Sequence, residues 1–533
     1  FANEDGNVTL YYDNSAKFAT TNTGTNVTGV HVDDGATHDG DVTFTGASAS
    51  VTWDKSVDDL IFADNAKAVF GTSSDCSIYH DGSNSYITNT VGHLFIDTTY
   101  NTYLRKTGGE EMAVFVPDGG CFLKYDNVTR FETSNTGATV TGILVAEGGI
   151  DATDAQNNTR VGATAGDSFD GTNAEDNTLI GKAAGTAITT GDDNTAVGAE
   201  ALDANTTGSN NTAIGMRTLS ANTTADDNTA LGRAAMYVNT TGARNTALGR
   251  LALSTNTTAD NNTAVGYSAL GLNTTGTSNT AIGLEALEAN TTGNYNTACG
   301  TRALEANTTG IENTAVGSGS LYSATTASYN TSVGQNAMVL TTTGASNTAI
   351  GHDSLYANTT GASNVAVGSA ALAANTTGSD NNAVGKGALD ANTTANDNNA
   401  FGTAALGLNT TGSQNTAMGH VVLDANTTGS QNTGFGAIAL SANTTASNNT
   451  ACGHSALSST TTGANNASFG MNSMKFNTTG AQNTALGRST LTNNTSGASN
   501  VAVGYASLDT NTTGDNNIAV GVYALDANTT GTY

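Results

Sequence analysis

A 17-residue period dominates the sequence from Asn177 onward. Twenty-one copies follow one another without a break in register, and the last of them begins at Asn517. Their consensus is N-T-A-h-G-x-x-A-L-x-x-N-T-T-G-x-x, where h is apolar and the first Asn is position one. A degenerate copy that begins at Asn158 precedes them with an offset of 19 residues. A fixed period of this length is typical of solenoids, in which each repeat packs against its neighbours.

The length of the runs within each repeat distinguishes strands from helices. Each run within the repeat has only five or six residues and is bounded by turn-like segments such as N-T-T-G, whereas a helix needs roughly ten or more. The sequence therefore predicts an all-β fold, a parallel β-solenoid of the β-roll or β-helix type, with one 17-residue coil per repeat.

Two positions of the repeat never vary among the 21 copies. Position one is always Asn and position five is always Gly. Identical amides on successive rungs can form a hydrogen-bonded ladder, and an unvarying Gly indicates either a positive φ or a backbone approached too closely for a Cβ atom. Position fifteen is Ala in five copies, so a left-handed conformation is not required there. The predicted structural ladder includes Asn194, Gly198, Asn211, Gly215, Asn228 and Gly232.

The apolar positions of the repeat predict a thin core. Position four is apolar in every copy, position nine is Leu in 17 copies, and position three is nearly always Ala. Burying two large side chains contributes about 3–6 kcal/mol per repeat. Ordering the backbone of one repeat costs about 17–34 kcal/mol. We therefore expect a homotrimer in which the Ala-lined faces of three chains pack around one axis, with Cys299 and Cys452 as small hydrophobes at the core position four.

The composition excludes several classes of function. The formal net charge is -28, which repels phosphate backbones and argues against nucleic-acid binding. No stretch approaches the roughly 20 apolar residues that cross a bilayer, so we expect no membrane insertion. No export signal is visible at the start of the sequence. The chain begins at Phe1 instead of Met and stops at Tyr533 just after a repeat loop, so we expect a processed or partial chain.

The first 150 residues differ from the repeats and contain the single Trp and the single Pro. A unit of the form Y-D-N-x-x-[KR]-F occurs twice, at 12–18 and 125–131. Alternating runs such as Val42–Phe44 and Val51–Trp53, broken by Gly, Asp and Asn, indicate short strands. We therefore predict a β-rich fibre region over 1–150, a transition over 151–176 and the solenoid over 177–533.

These segments resemble known fibre proteins. The runs at 51–56, 62–67 and 78–87 and the two Y-D-N units look like tail-fibre and virion structural proteins of tailed phages, particularly marine ones. The N-T-A-I-G repeats resemble the heads of trimeric autotransporter adhesins, whose repeats are typically shorter than 17 residues. The resemblance implies a homotrimeric fibre on a virion that binds other virion or tail proteins at one end and a glycan or protein receptor on a host cell at the other.

Metal-ligand residue types cluster near residue 35. His31, Asp33, His38 and Asp39, together with two neighbouring Asp residues, could hold a divalent ion. Their spacing matches no strong site, and turn formation by Asp and Gly explains them equally well. The sequence predicts no cofactor.

Carboxylates and tyrosines recur at variable positions of the repeat, which we expect to face water. Glu288 and Glu305 occupy position ten on adjacent coils, about 5 Å apart, a separation that retaining glycosidases also use. Nothing in the sequence indicates a cleft around them, so we expect no enzymatic activity. The candidate receptor contacts are tyrosines that we expect to be exposed. Tyr237, Tyr322 and Tyr356 occupy position ten, and Tyr267 occupies position six, which is Arg in copies such as those of Arg233 and Arg250.

Two other functions remain open from the sequence. The same solenoid would serve in a bacterial cell-surface trimeric adhesin or an extracellular filament, with an extracellular or cell-surface location. Abundant Thr also suggests ice binding, although adjacent Thr residues on a strand point to opposite faces.

Overall fold

The computed structural model describes residues 8–12, 15–21, 24–27, 41–117, 119–134, 137–140, 154, 156–169 and 173–532. The chain divides into two compact units, Phe1–Gly148 and Gly149–Tyr533. The described residues form strands and turns and contain no helix, which confirms the predicted all-β class. Accordingly, the described part of the chain has no helix long and apolar enough to cross a membrane.

The first unit contains antiparallel meanders of short strands. Strands β1–β3, β4–β6 and β7–β9 form three sheets of three strands, and β10–β14 form one sheet of five. Their bounds are β1 Thr9–Tyr12, β2 Ser15–Thr21, β3 Gly24–Val27, β4 Val42–Thr45, β5 Ser50–Asp54, β6 Asp59–Phe62, β7 Lys67–Phe70, β8 Cys76–His80, β9 Ser85–Asn89, β10 Thr102–Arg105, β11 Glu111–Phe115, β12 Cys121–Tyr125, β13 Val128–Ser134 and β14 Gly137–Val140.

The two Y-D-N units form the same hairpin. In the first, Tyr12 pairs with Ser15, and the register shifts between Leu10 and Tyr11. In the second, Tyr125 pairs with Val128, and the register shifts in the corresponding place, before Lys124. The sequence duplication is therefore a duplication of structure, bulge included.

The second unit is a parallel β-solenoid whose three-residue strands form one sheet of 22 strands. Its strands are β15 Thr159–Val161, β16 Thr178–Ile180, β17 Thr195–Val197, β18 Thr212–Ile214, β19 Thr229–Leu231, β20 Thr246–Leu248, β21 Thr263–Val265, β22 Thr280–Ile282, β23 Thr297–Cys299, β24 Thr314–Val316, β25 Thr331–Val333, β26 Thr348–Ile350, β27 Val365–Val367, β28 Asn382–Val384, β29 Asn399–Phe401, β30 Thr416–Met418, β31 Thr433–Phe435, β32 Thr450–Cys452, β33 Ala467–Phe469, β34 Thr484–Leu486, β35 Val501–Val503 and β36 Ile518–Val520. The degenerate copy supplies β15, so the sheet begins within the predicted transition. Each strand pairs in register with the next, position by position.

The strand faces correct the predicted core. In the coil that begins at Asn347, Ala349 at position three and Leu355 at position nine are fully buried, whereas Ile350 at position four is 42% exposed. The small side chain of Ala349 points into the coil, because the interior of the coil is too narrow for two large side chains on one rung. The Ala-lined face, which we expected between three chains, is buried within each chain.

Each coil turns through residues with positive φ. In the coil that begins at Asn347, these residues are Gly351, Asp353, Leu355 and Ser363, with φ of 139°, 55°, 50° and 59°. A Cβ atom on Gly351 would also lie 2.6 Å from the carbonyl carbon of Gly368 on the next coil. Both explanations offered for the unvarying Gly are thus correct. Gly361 at position fifteen lies outside the left-handed region, as its replacement by Ala in other copies predicted.

Candidate functional site

The predicted Asn ladder runs inside the solenoid. Asn347 is fully buried, and its Nδ2 donates to Oδ1 of Asn330 at 3.2 Å and to the carbonyl of Gly361 at 2.9 Å. Its Oδ1 accepts from the backbone N–H of Asn364 at 2.9 Å. Likewise, Oδ1 of Asn194, Asn211 and Asn228 accepts from the backbone N–H of the Asn on the following coil. Each Asn therefore satisfies a buried backbone N–H of the following coil, which would otherwise be unpaired.

A second ladder, which the sequence analysis missed, occupies position twelve. Asn375 Nδ2 donates to Oδ1 of Asn358 at 3.0 Å and to the carbonyl of Gly378 at 2.9 Å. Among the described residues, no backbone N–H donates a hydrogen bond to Oδ1 of Asn358. Position twelve is Asn in 17 copies, and Ala324, Thr341 and Thr460 are among the exceptions. Because the N-T-T segment resembles an ordinary turn, the sequence did not indicate that its Asn is buried and forms a ladder.

The outer face of the 22-stranded sheet carries two columns of side chains, at positions two and four. Position two is mostly Thr, and position four is Ile, Val, Leu, Phe, Met or Cys. From Thr178 to Val520 neither column contains a charged residue. We call this surface the uncharged face. Cys299 is half-buried and Cys452 is exposed there, so neither is the core residue that was predicted.

The candidate receptor contacts lie on the ridge formed by positions six, seven and ten. Tyr237, Tyr267 and Tyr356 are exposed, whereas Tyr322 is half-buried. The Arg250 guanidinium lies over the ring of Tyr267, 5.6 Å from its centroid. The receptor role of these residues remains a prediction.

The position-ten carboxylates are less exposed than expected. Ligand atoms of Glu285, Glu288 and Glu305 lie within 4.8 Å of one another. Burial, followed by repulsion from Glu285 and Glu305, raises the pKa of Glu288. Burial also raises the pKa of Glu305. The Arg302 guanidinium lies 2.8 Å from Glu285 and 3.4 Å from Glu305, so it offsets part of this negative charge.

The predicted metal candidates His31, Asp33, His38 and Asp39 lie outside the described residues. Their neighbour Asp41 is described, and its carboxylate accepts a hydrogen bond from the backbone N–H of Lys55 at 2.9 Å.

Comparison with known proteins identified no relative. No family model matches the chain, and neither a curated protein nor a solved structure matches it.

Proposed function

We propose that this chain is a structural fibre protein of a virion, such as a phage tail fibre, which forms a homotrimer and attaches the particle to a host cell. The observation that carries this proposal is the uncharged face on a chain whose net charge is -28. Two chains can approach each other at this face without repulsion between charged side chains, whereas charged residues occupy the other surfaces of the coils.

The dimensions of the uncharged face suit self-association. Its two columns lie about 7 Å apart, and 21 rungs spaced by about 4.8 Å extend it over roughly 100 Å. These dimensions correspond to roughly 700 Å² per chain, close to the ~800 Å² that each partner contributes to a standard stable interface. All copies share one rung spacing, so columns can pack against columns along the whole length.

The chemistry of the ridge supports a role without catalysis. Arg302 partly neutralises the cluster of Glu285, Glu288 and Glu305. The carboxylates of this cluster are half-buried and occupy positions of the repeat whose residue type varies among the copies. Those features suit a solvated fibre surface. The attachment function then requires only a rigid shaft and exposed contacts such as Tyr237 and Tyr267.

Sedimentation of the full chain tests the assembly. We expect a mass of about three times 53.3 kDa and a high frictional ratio. Ile350→Asp places a charge on the uncharged face and should shift the mass towards that of one chain, because an unpaired buried carboxylate is costly. Thr360→Asp adds the same charge at an exposed position of the same coil and should leave the mass unchanged. A monomeric wild-type chain would reject the trimer.

Immunogold labelling tests the location. Antibodies against the chain should decorate an appendage of purified virus particles. Labelling of the bacterial envelope without labelling of particles would instead identify a cell-surface adhesin.

A further inference from the structure

Two arginines on adjacent coils have no acidic partner in the described part of the chain. Arg233 and Arg250 both occupy position six, so their backbones are about 4.8 Å apart, and both side chains are exposed. Among the described residues, no carboxylate forms an ion pair with either guanidinium. Like charges so close together repel each other, and a bound anion would relieve that repulsion.

The two arginines line a groove of about 250 Å³. The groove is bounded by Arg217, Arg233, Ala234, Tyr237, Arg250 and Leu251, and we call it the arginine groove. Arg217 is already paired, with its Nε 2.7 Å from Glu200. The uncompensated charge in the groove therefore belongs to Arg233 and Arg250.

This arrangement is unusual within the chain. Lys and Arg number 17 against 45 Asp and Glu, yet three arginines meet in one groove. At the Glu285 cluster the opposite occurs, because Arg302 contacts two carboxylates. The arginine groove is therefore a local concentration of positive charge.

We propose that the arginine groove binds an acidic saccharide. Arg233 and Arg250 hold its carboxylate or sulfate through charge-assisted hydrogen bonds, for which the planar guanidinium is well suited. Tyr237 borders the groove and offers aromatic surface to a sugar ring, while the ring of Tyr267 packs against the Arg250 guanidinium. This inference rests on the proposed attachment function and names the class of receptor.

Charge density favours a saccharide over a nucleic acid. A nucleic acid carries phosphates at close, regular intervals and would be repelled by the remainder of a chain with a net charge of -28. Two uncompensated guanidiniums match one or two acidic groups, not a dense polyanion. The ring of Tyr237, which borders the groove, suits a sugar.

Binding measurements on the full chain test the proposal. Isothermal titration should detect binding of a sulfated hexasaccharide or of a uronate hexasaccharide. The one that binds with the higher affinity identifies the acidic group that the groove recognises. A neutral hexasaccharide, inorganic sulfate at equal ionic strength and a single-stranded oligonucleotide are the comparison ligands. Arg233→Ala and Arg250→Ala should each weaken binding about tenfold or more, because a hydrogen bond to a charged group is lost.

Arg488→Ala is the matched control. Arg488 also occupies position six and lies over a tyrosine, Tyr505, at 6.0 Å, but Met471 and Tyr505 occupy that position on the adjacent coils. Its replacement removes one positive charge and one Arg–Tyr contact without touching the arginine groove. Binding should therefore stay within about twofold of the wild type.

Several outcomes would overturn the proposal. These are no binding of either acidic hexasaccharide, an equal loss in Arg488→Ala, or preferential binding of the oligonucleotide or of sulfate alone. Sedimentation of the same samples separates this result from the assembly proposal. Trimers that bind no saccharide refute only the arginine groove, whereas saccharide-binding monomers refute only the trimer.

Discussion

Asn347→Ala tests the central ladder, because Asn347 begins the eleventh of the 21 copies. The change removes Oδ1, which accepts from the backbone N–H of Asn364 at 2.9 Å, and leaves that buried donor unpaired. The carbonyl of Gly361 keeps a second donor, Nδ2 of Asn358, at 3.0 Å. One orphaned N–H costs about 1–3 kcal/mol, and the three other hydrogen bonds of the Asn347 side chain, to Asn330, Gly361 and Asn364, contribute about 1 kcal/mol each. We expect a total loss of about 4–6 kcal/mol in the free energy of unfolding.

Asn358→Ala is the matched control, since Asn358 has the same side chain in the same coil and is also fully buried. Its loss orphans no backbone group, because Gly361 keeps the bond from Asn347 at 2.9 Å and Asn375 keeps its bond to Gly378 at 2.9 Å. We expect it to cost about 1–2 kcal/mol.

Hydrogen exchange and denaturant unfolding measure the difference. Asn347→Ala should accelerate exchange of the amides in the adjacent coils, since a solenoid opens at its weakest interface. If Asn358→Ala destabilised the chain as much as Asn347→Ala, the unvarying Asn of position one would need another explanation than the backbone N–H that it satisfies.

Two further changes probe the backbone and the half-buried carboxylates. Gly351→Ala should destabilise the solenoid by about 2 kcal/mol or more in denaturant unfolding, since the Cβ atom meets the next coil and φ is positive. A Cβ atom on Gly361 would also lie close to the next coil, 2.3 Å from the carbonyl oxygen of Gly378, but φ is not positive there and Ala occupies that position in five other copies. Gly361→Ala should therefore cost less than Gly351→Ala, and equal costs would contradict the role given to the positive φ. Glu288→Gln should stabilise the chain at pH 7 by about 0.5 kcal/mol, because the raised folded pKa of Glu288 means that stability falls as pH rises above its unfolded pKa. Thermal unfolding of the wild type and of Glu288→Gln should show that most of this gain in stability is absent at pH 4, where Glu288 is largely protonated in both states. A gain in stability that did not change with pH would rule out the carboxylate as its cause.

The repeat alone determined most of the solenoid. An unbroken period of 17 residues requires equivalent residues to stack, so the columns of Asn and Gly, the parallel register and the strand class could all be predicted. The choice between short strands and helices followed from the length of each run. The Y-D-N duplication likewise predicted a repeated element, although not the register shift that both hairpins share.

Tertiary structure decided which side of each strand is inside. A three-residue strand alternates its side chains, and the pattern Thr-Ala-Ile is compatible with either face being buried. The curvature of a 17-residue coil leaves room for Ala349 and Leu355 but not for Ile350, which therefore lies outside. Leu355 adopts a positive φ that its intrinsic preference opposes, and only burial among stacked coils compensates for that cost. Which columns are buried and which are left on the surface for a partner thus depends on how the coil closes.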